Sequence, residues 1–406
     1  MASPAQVDIL IKNGTVIDPS NGINKKTSVA IKDGKILQVG DELNVTAKEV
    51  IDASGCIVTP GLVDLHIHGY EYATPLGTNP DKQCLARGVT TVVDAGSAGA
   101  ATLMGLRKYI AEPSKTSVFA FLHIASHGMA AAGCAKGFGI GGESDCLNQV
   151  DTEMCIKAIE DNRDLVVGVK VRLTANVAND GANEEEIYRR AKEAAQRTGT
   201  PLMIHHTFST IPIQKQDGKM CCPGDMSPGD IYTHSFHASP SSIIDAATKQ
   251  VYPEVVQAQN DGVLFDLGHG QGSFSWTVAE ICAKSGFWPN IVSTDLHSGN
   301  INGPSYDLPS VMTKMLHIGM PLEEVIKATT QTPAAILNNP RLNRQFGSLS
   351  PGRDADVTLL KLEAVDYELE DCEGEMRSIK QQLVPVKMWK CGDEHTIQVH
   401  DKFQTS

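Results

Sequence analysis

The sequence predicts an α/β protein built on a (β/α)8 TIM barrel. Three observations carry that expectation: eight strand-like segments run through the middle of the chain, helix-like intervals separate several of them, and 406 residues leave room for a barrel of about 250 plus a smaller domain. Residues 7–58 come first and read as short β segments at 9–12, 15–17, 28–32, 35–39 and 48–51. Asn13-Gly14 and Asp33-Gly34 between them are turn signals of the hairpin type. The barrel strands are then expected at 63–68, 90–94, 118–124, 165–173, 201–206, 230–235, 263–269 and 291–297. The clearest helix lies at 183–199. Asn183 is placed to cap it with Glu186 three residues on, Ile187, Ala191, Ala194 and Ala195 form an apolar stripe, and Gly199 ends it before Thr200-Pro201. Strands alternating with helices give a parallel sheet, and eight such units close into a barrel.

Active sites of such barrels sit at the C-terminal strand ends. The first strand carries Val63-Asp64-Leu65-His66-Ile67-His68, entered through Thr59-Pro60-Gly61. Side chains two apart project from one face of a strand, so His66 and His68 can grip one metal ion. By itself a His-x-His pair is more often a pair of surface histidines. The later strand ends change that reading: they offer Asp94, Lys170 in Val167-Gly168-Val169-Lys170-Val171-Arg172, His205, His234, His269 and Asp295.

The order His-x-His, Lys, His, His, Asp over strands one, four, five, six and eight resembles the amidohydrolase superfamily, in the subtype where a carboxylated lysine bridges two metals. The resemblance covers nearly the whole chain. Residues 347–349 and 351–360 look like the family's return to its small β domain, which implies a composite β-sandwich of residues 1–58 and 346–406 around a hydrolase barrel at 59–345. Residues 330–334 are similar to the helix that closes the barrel. Residues 90–97 and 269–274 look most like the deacetylase and dihydroorotase-like group, which hydrolyses acylated small acids.

The resemblance implies a cofactor of two divalent metal ions, zinc being the first expectation, and a CO2-derived carbamate on Lys170. His66, His68 and Asp295 would complete one metal site, and His205 and His234 the other. A metal-bridging hydroxide is then the nucleophile, and Asp295 shuttles its proton to the leaving amine or alkoxide. His205 is preferred to His206 because Leu202-Met203-Ile204-His205 resembles the family's apolar run into the ligand; His206 is expected to pack beneath. Two residues beyond Lys170, Arg172 leans to the same face and could clamp a substrate carboxylate, or pair with an acid such as Asp94. His269, followed by Gly270-Gln271-Gly272-Ser273, could donate a further hydrogen bond to substrate or oxyanion.

Composition narrows the rest. Net charge is -13 and no Lys/Arg cluster stands out, which argues against nucleic acid and anionic membranes as partners. No apolar run of about 18 residues exists, and residues 1–6 lack signal-peptide features, so a cytoplasmic protein acting on a small acylated molecule is expected, with homo-oligomerisation open. Ten cysteines are scattered without a Cys-x-x-Cys pair and read as free thiols. Gly137-Phe138-Gly139-Ile140-Gly141-Gly142 satisfies Gly-x-Gly-x-x-Gly without the strand and helix a dinucleotide site needs; residues 128–142 read as a loop that either covers the barrel mouth or lies on the surface. The function expected is hydrolysis of an amide or ester of an acylated amino or hydroxy acid. The alternatives are a cyclic-amide hydrolase of the dihydroorotase or dihydropyrimidinase kind and a catalytically silent scaffold. A scaffold would be expected to have lost ligands that this chain keeps, and a deaminase would have no use for Lys170.

Overall fold

A computed structural model describes residues 3–130, 141–338 and 344–403. Most of the loop expected at 128–142, with most of its glycine run, lies outside the described residues.

The N-terminal segment supplies strands β1 (Ala5–Lys12), β2 (Thr15–Asp18), β3 (Ile23–Lys26), β4 (Ser28–Lys32), β5 (Lys35–Gly40), β6 (Val45–Asp52) and β7 (Ile57–Pro60). In β1 the alternation Val7, Ile9, Ile11 puts one face in the core. β1 pairs antiparallel with β4 and parallel with β6, in a sheet ordered β5-β4-β1-β6. Asp33-Gly34, both at positive φ (49° and 71°), turns the β4-β5 hairpin as expected. Asn13-Gly14 does not make a hairpin. It carries the chain from β1 into a second sheet, where β2 pairs with β3 and β7.

That second sheet is completed by the chain's end, through β17 (Val357–Glu370), β18 (Met376–Lys390) and β19 (Asp393–His395), in the order β19-β18-β17-β7-β2-β3. Ile9, Val29 and Ile31 of the first sheet share a core with Val16, Val58, Val357 and Trp389 of the second. Two sheets therefore face one another over side chains from both ends of the sequence. The far part of the β17-β18 hairpin, with Leu369, Ile379 and Leu383, joins the large central core instead.

Between the two segments lie β8 (Leu62–Ile67), β9 (Val89–Gly99), β10 (Ser117–His123), β11 (Val166–Leu173), β12 (Leu202–His206), β13 (Ile231–Thr233), the short pair β14 (Ile244–Asp245) and β15 (Gln250–Val251), and β16 (Leu264–Phe265). Seven of these form one parallel sheet in the order β16-β13-β12-β11-β10-β9-β8. The helices among the described residues are α1 (Pro80–Gln83), α2 (Leu103–Leu106), α3 (Thr152–Asp161), α4 (Glu184–Thr198), α5 (Pro253–Asn260), α6 (Trp276–Lys284), α7 (Leu308–His317), α8 (Leu322–Thr329) and α9 (Gln331–Leu337).

The eighth expected strand, 291–297, is not a regular strand. Ile291 bridges Asp266 beyond β16 and Leu296 bridges Ile67 of β8, so the segment touches both edges of the sheet through isolated contacts. Its backbone accepts from Leu267 N at 2.9 Å and from His68 N at 2.8 Å. The regular strands β13 and β16 are also shorter than 230–235 and 263–269. One cause is shared: His234 (φ 62°), Gly268 (φ 48°) and Asp295 (φ 47°) adopt left-handed backbone, which breaks a ladder.

Helix α4 occupies the expected place, with Ile187, Ala191, Ala194 and Ala195 buried and Gly199 at φ 61° closing it. The expected capping pair does not form. Asn183 sends its amide to Ser144 O and Asp145 O, both at 2.9 Å, and Glu186 pairs with Arg189 and Arg190. Inside the curled sheet Val93, Phe121, Val167, Met203 and Ile231 form an apolar layer closed by Leu337 and Phe346. Further along the same strands the side chains become polar, and there the site lies.

Candidate metal-binding active site

At the C-terminal ends of the strands a cavity of about 290 Å³ is lined by all six expected ligands: His66, His68, Lys170, His205, His234 and Asp295. A larger recess of about 590 Å³ opens near the strand starts, beside Ala195, Pro201, Leu202 and Ile336, but it gathers no histidine or cysteine. Chemistry, not size, picks the site.

Each imidazole is fixed by its far nitrogen. His66 Nδ1 lies 3.0 Å from Thr233 Oγ1 and 3.2 Å from Asp266 Oδ2, while Thr233 Oγ1 donates to the same Asp266 oxygen at 2.7 Å. His68 Nδ1 is 2.9 Å from Ser97 Oγ, and His234 Nδ1 donates to Gly268 O at 2.7 Å. All three rings thus turn Nε2 toward the cavity. Tethers of this kind set the tautomer of metal-binding histidines. His205 is held the other way round, with Nε2 2.6 Å from Thr207 Oγ1, so Nδ1 is the atom it can offer. Its ring centroid lies 4.3 Å from that of His234. His206 faces away as expected, both nitrogens engaged with Tyr232 OH at 3.0 Å and Ile211 O at 2.8 Å.

Asp295 Oδ1 is the centre of the arrangement. It lies 3.0 Å from His68 Nε2 and 3.3 Å from His66 Nε2, and Lys170 Nζ is 3.3 Å from His66 Nε2. Buried, it accepts no hydrogen bond from the described residues. With the His66 and His234 protons committed to Nδ1, lone pairs converge on lone pairs, and that repulsion is what a cation removes. His66, His234 and Asp295 each place a ligand atom within 4.8 Å of the others. The donor set fits a divalent ion.

Burial drives His66 and His205 well below the usual imidazole range and His234 to about 3, so the rings are neutral and free to ligate. Burial also brings Lys170 down to about 7, giving it the neutral amine that reaction with CO2 requires. His234 and Asp295 keep their left-handed backbone here, a cost that the surrounding contacts must hold in place. One of them is visible: Asp64, buried beneath His66, accepts from Thr294 N at 3.1 Å and Thr294 Oγ1 at 2.6 Å, pinning the residue before Asp295.

Arg172 lines the cavity as expected, but its partner is Glu143, with Nη1 3.3 Å from Oε1. Asp94 instead accepts the backbone N–H groups of Gly69 and Ser97, each at 2.8 Å. His269 does not reach the cavity, and its expected role in substrate binding is corrected. It is fully buried, stacked on Phe274 at 4.6 Å, with Nε2 accepting from Lys314 Nζ at 2.9 Å. The residues after it, Gln271, Gly272 and Ser273, do line the cavity. Reasoning from sequence missed Asp266. Drawing the seventh strand to 269 put the strand end at His269, whereas β16 stops at Phe265 and the first polar residue beyond it is Asp266.

Comparison with known proteins places this geometry. A family model described as the deacetylase-like composite domain matches residues 349–389. Over 388 residues the chain is 33% identical to a deacetylase of Agrobacterium fabrum, covering 94% of this chain and 90% of that protein. The chain belongs to the deacetylase-like amidohydrolases. Two solved structures resemble this amidohydrolase along nearly its whole length: one described as an adenine deaminase (TM-score 0.83, 32% identity, 96% of this chain and 99% of that one) and one as a dihydroorotase (TM-score 0.82, 29% identity, 98% and 99%). Among its described residues no helix is long and apolar enough to cross a membrane.

Proposed function

We propose that this amidohydrolase is a binuclear metal-dependent hydrolase that cleaves the amide or ester bond of a small acylated amino or hydroxy acid in the cytoplasm. The observation that carries the reading is the convergence of Asp295 Oδ1 with the Nε2 atoms of His66 and His68, with no hydrogen bond to Oδ1 from the described residues. His66, His68 and Asp295 would hold one ion, His205 and His234 the second, and Lys170, as its carbamate, would serve both. Two divalent ions there, zinc first among them, would supply hydroxide near neutral pH and polarise the scissile carbonyl. Asp295 takes the proton of the attacking water and hands it to the leaving amine or alkoxide. Arg172 receives the substrate carboxylate, while Leu76, Met129 and Phe208 form an apolar wall on the same cavity. The same reading takes residues 59–345 as a closed (β/α)8 barrel, with 291–297 in the eighth position, and residues 1–58 with 346–406 as one β-sandwich domain.

Metal analysis followed by a panel of N-acyl and O-acyl acids, their neutral analogues, cyclic amides and aminopurines tests it. Close to two ions per chain and turnover of acylated acids, lost on chelation, are expected. Full activity in the metal-free protein would overturn the mechanism. Turnover confined to cyclic amides would replace it with the dihydroorotase-like alternative.

A further inference from the structure

Beside the expected ligands, Glu143, His123 and Arg172 each leave part of their hydrogen-bonding capacity unused among the described residues. Glu143 is 1% exposed, and neither carboxylate oxygen accepts a hydrogen bond from the described residues. Its nearest polar neighbours are the cation Arg172, with Nη1 3.3 Å from Oε1, and the neutral His123, with Nε2 3.8 Å from the same oxygen. His123 accepts the Ala125 N–H at Nδ1 (3.0 Å), so its ring proton is on Nε2, facing Glu143. Arg172 Nε has no hydrogen-bond partner among the described residues either.

The backbone holds Glu143 in that position. Ser144 N donates to Val177 O at 2.9 Å and Gly142 N to Asp145 Oδ2 at 2.6 Å. A side chain at Gly142 would place its Cβ 2.2 Å from Val177 Cα, so only glycine permits this approach. A buried carboxylate without a strong donor is costly, and among the described residues Arg172 is the compensating charge. At 3.3 Å the contact is longer than the 2.7–2.9 Å of a tight charge-assisted bond. The pair is close enough to neutralise and loose enough to exchange.

We propose that Glu143 is a specificity-determining residue, an internal counter-ion that competes with the carboxylate of substrate or product for Arg172. This rests on the reading that Arg172 holds the substrate's carboxylate. In the empty site Glu143 spares the half-buried guanidinium from standing unpaired. When an acidic substrate enters, its carboxylate shares or takes the guanidinium on the cavity side. As the acidic product leaves, Glu143 recovers it. Neutral substrates bypass the exchange, so the residue sets the ratio between the two classes and the strength of product inhibition.

Glu143→Gln preserves shape and removes the charge. The expected result is that the KM for acylated acids, divided by that for neutral esters of the same acyl group, falls about tenfold or more, the scale of one hydrogen bond to a charged group. The inhibition constant of the free acid product should fall with it. Glu143→Asp, which draws the carboxylate back by one methylene, should shift both in the same direction by less, and it decides the matter if the Gln variant does not fold. An unchanged ratio with unchanged product inhibition, or equal loss on both substrate classes, overturns the proposal. Arg172→Met separates the two layers. If it weakens both classes equally, the carboxylate-holding reading fails and the counter-ion role with it; if it discriminates while the Glu143 variants do not, only the counter-ion role fails.

Discussion

Asp266→Ala tests whether the proposed metal site depends on residues that would never touch the metal. Asp266 is fully buried and serves three donors: Ser293 Oγ at 2.6 Å, Thr233 Oγ1 at 2.7 Å and His66 Nδ1 at 3.2 Å. Removing the carboxylate deprives His66 of the anion that keeps its proton on Nδ1 and its Nε2 lone pair on the cavity side. Loss of such a partner weakens metal binding about 10- to 100-fold, or about 1.4–2.8 kcal/mol. The two hydroxyls also lose their acceptor; if water fills the gap, the folding cost stays near 1–3 kcal/mol. Competition against a chromophoric chelator, run well below the melting temperature, gives the metal dissociation constants. Circular dichroism melts give the stability. A folded Asp266→Ala protein that binds both ions as tightly as the wild type would refute the argument that this carboxylate sets the His66 tautomer.

Three further outcomes follow from the proposed function. Lys170→Ala should fail to retain its metals and recover partly in acetate, since only a bridging anion is missing; a variant that is inactive yet holds two ions would rule out the bridge. Asp295→Asn should keep at least one ion while turnover drops about 10²-fold or more, the scale of a positioned proton carrier, and unchanged turnover would remove Asp295 from proton transfer. His205→Ala should lose metal by elemental analysis whereas His206→Gln should keep it and lose thermal stability, because His206 is spent on Tyr232 and Ile211. The reverse pattern would exchange the two assignments.

Much of the site was legible because it lies at strand ends and strand ends are periodic. His66, His68, Lys170, His205, His234 and Asp295, strand-end residues whose order resembles the amidohydrolase superfamily, all line one cavity. The choice of His205 over His206 rests on the resemblance of residues 202–205 to the family's apolar run into the ligand, since alternation says only that adjacent residues face opposite ways. His269 fails for a local reason. Gly268 at φ 48° and Gly270 at φ 59° turn the chain after β16, and a pattern drawn through that break points the wrong side chain inward.

By itself, the sequence determined where most of the strands and helix α4 lie and most of the polar residues that end the strands, because hydrophobic period and terminating glycines are local properties of the chain. It also determined that both chain ends contribute β structure. What only the tertiary structure decided is everything that depends on residues far apart in sequence meeting: that Asn13-Gly14 switches sheets, that Asn183 abandons its cap for Ser144 O and Asp145 O, and that 291–297 joins both sheet edges without forming a ladder. The tethers of the candidate ligands belong here too. Asp266 lies 200 residues from His66, and Asp64 lies 230 from Thr294. No pattern along the chain encodes such pairs, because a hydrogen bond depends on distance in space, and that distance exists only once the sheet has curled and brought its two edges to the same segment.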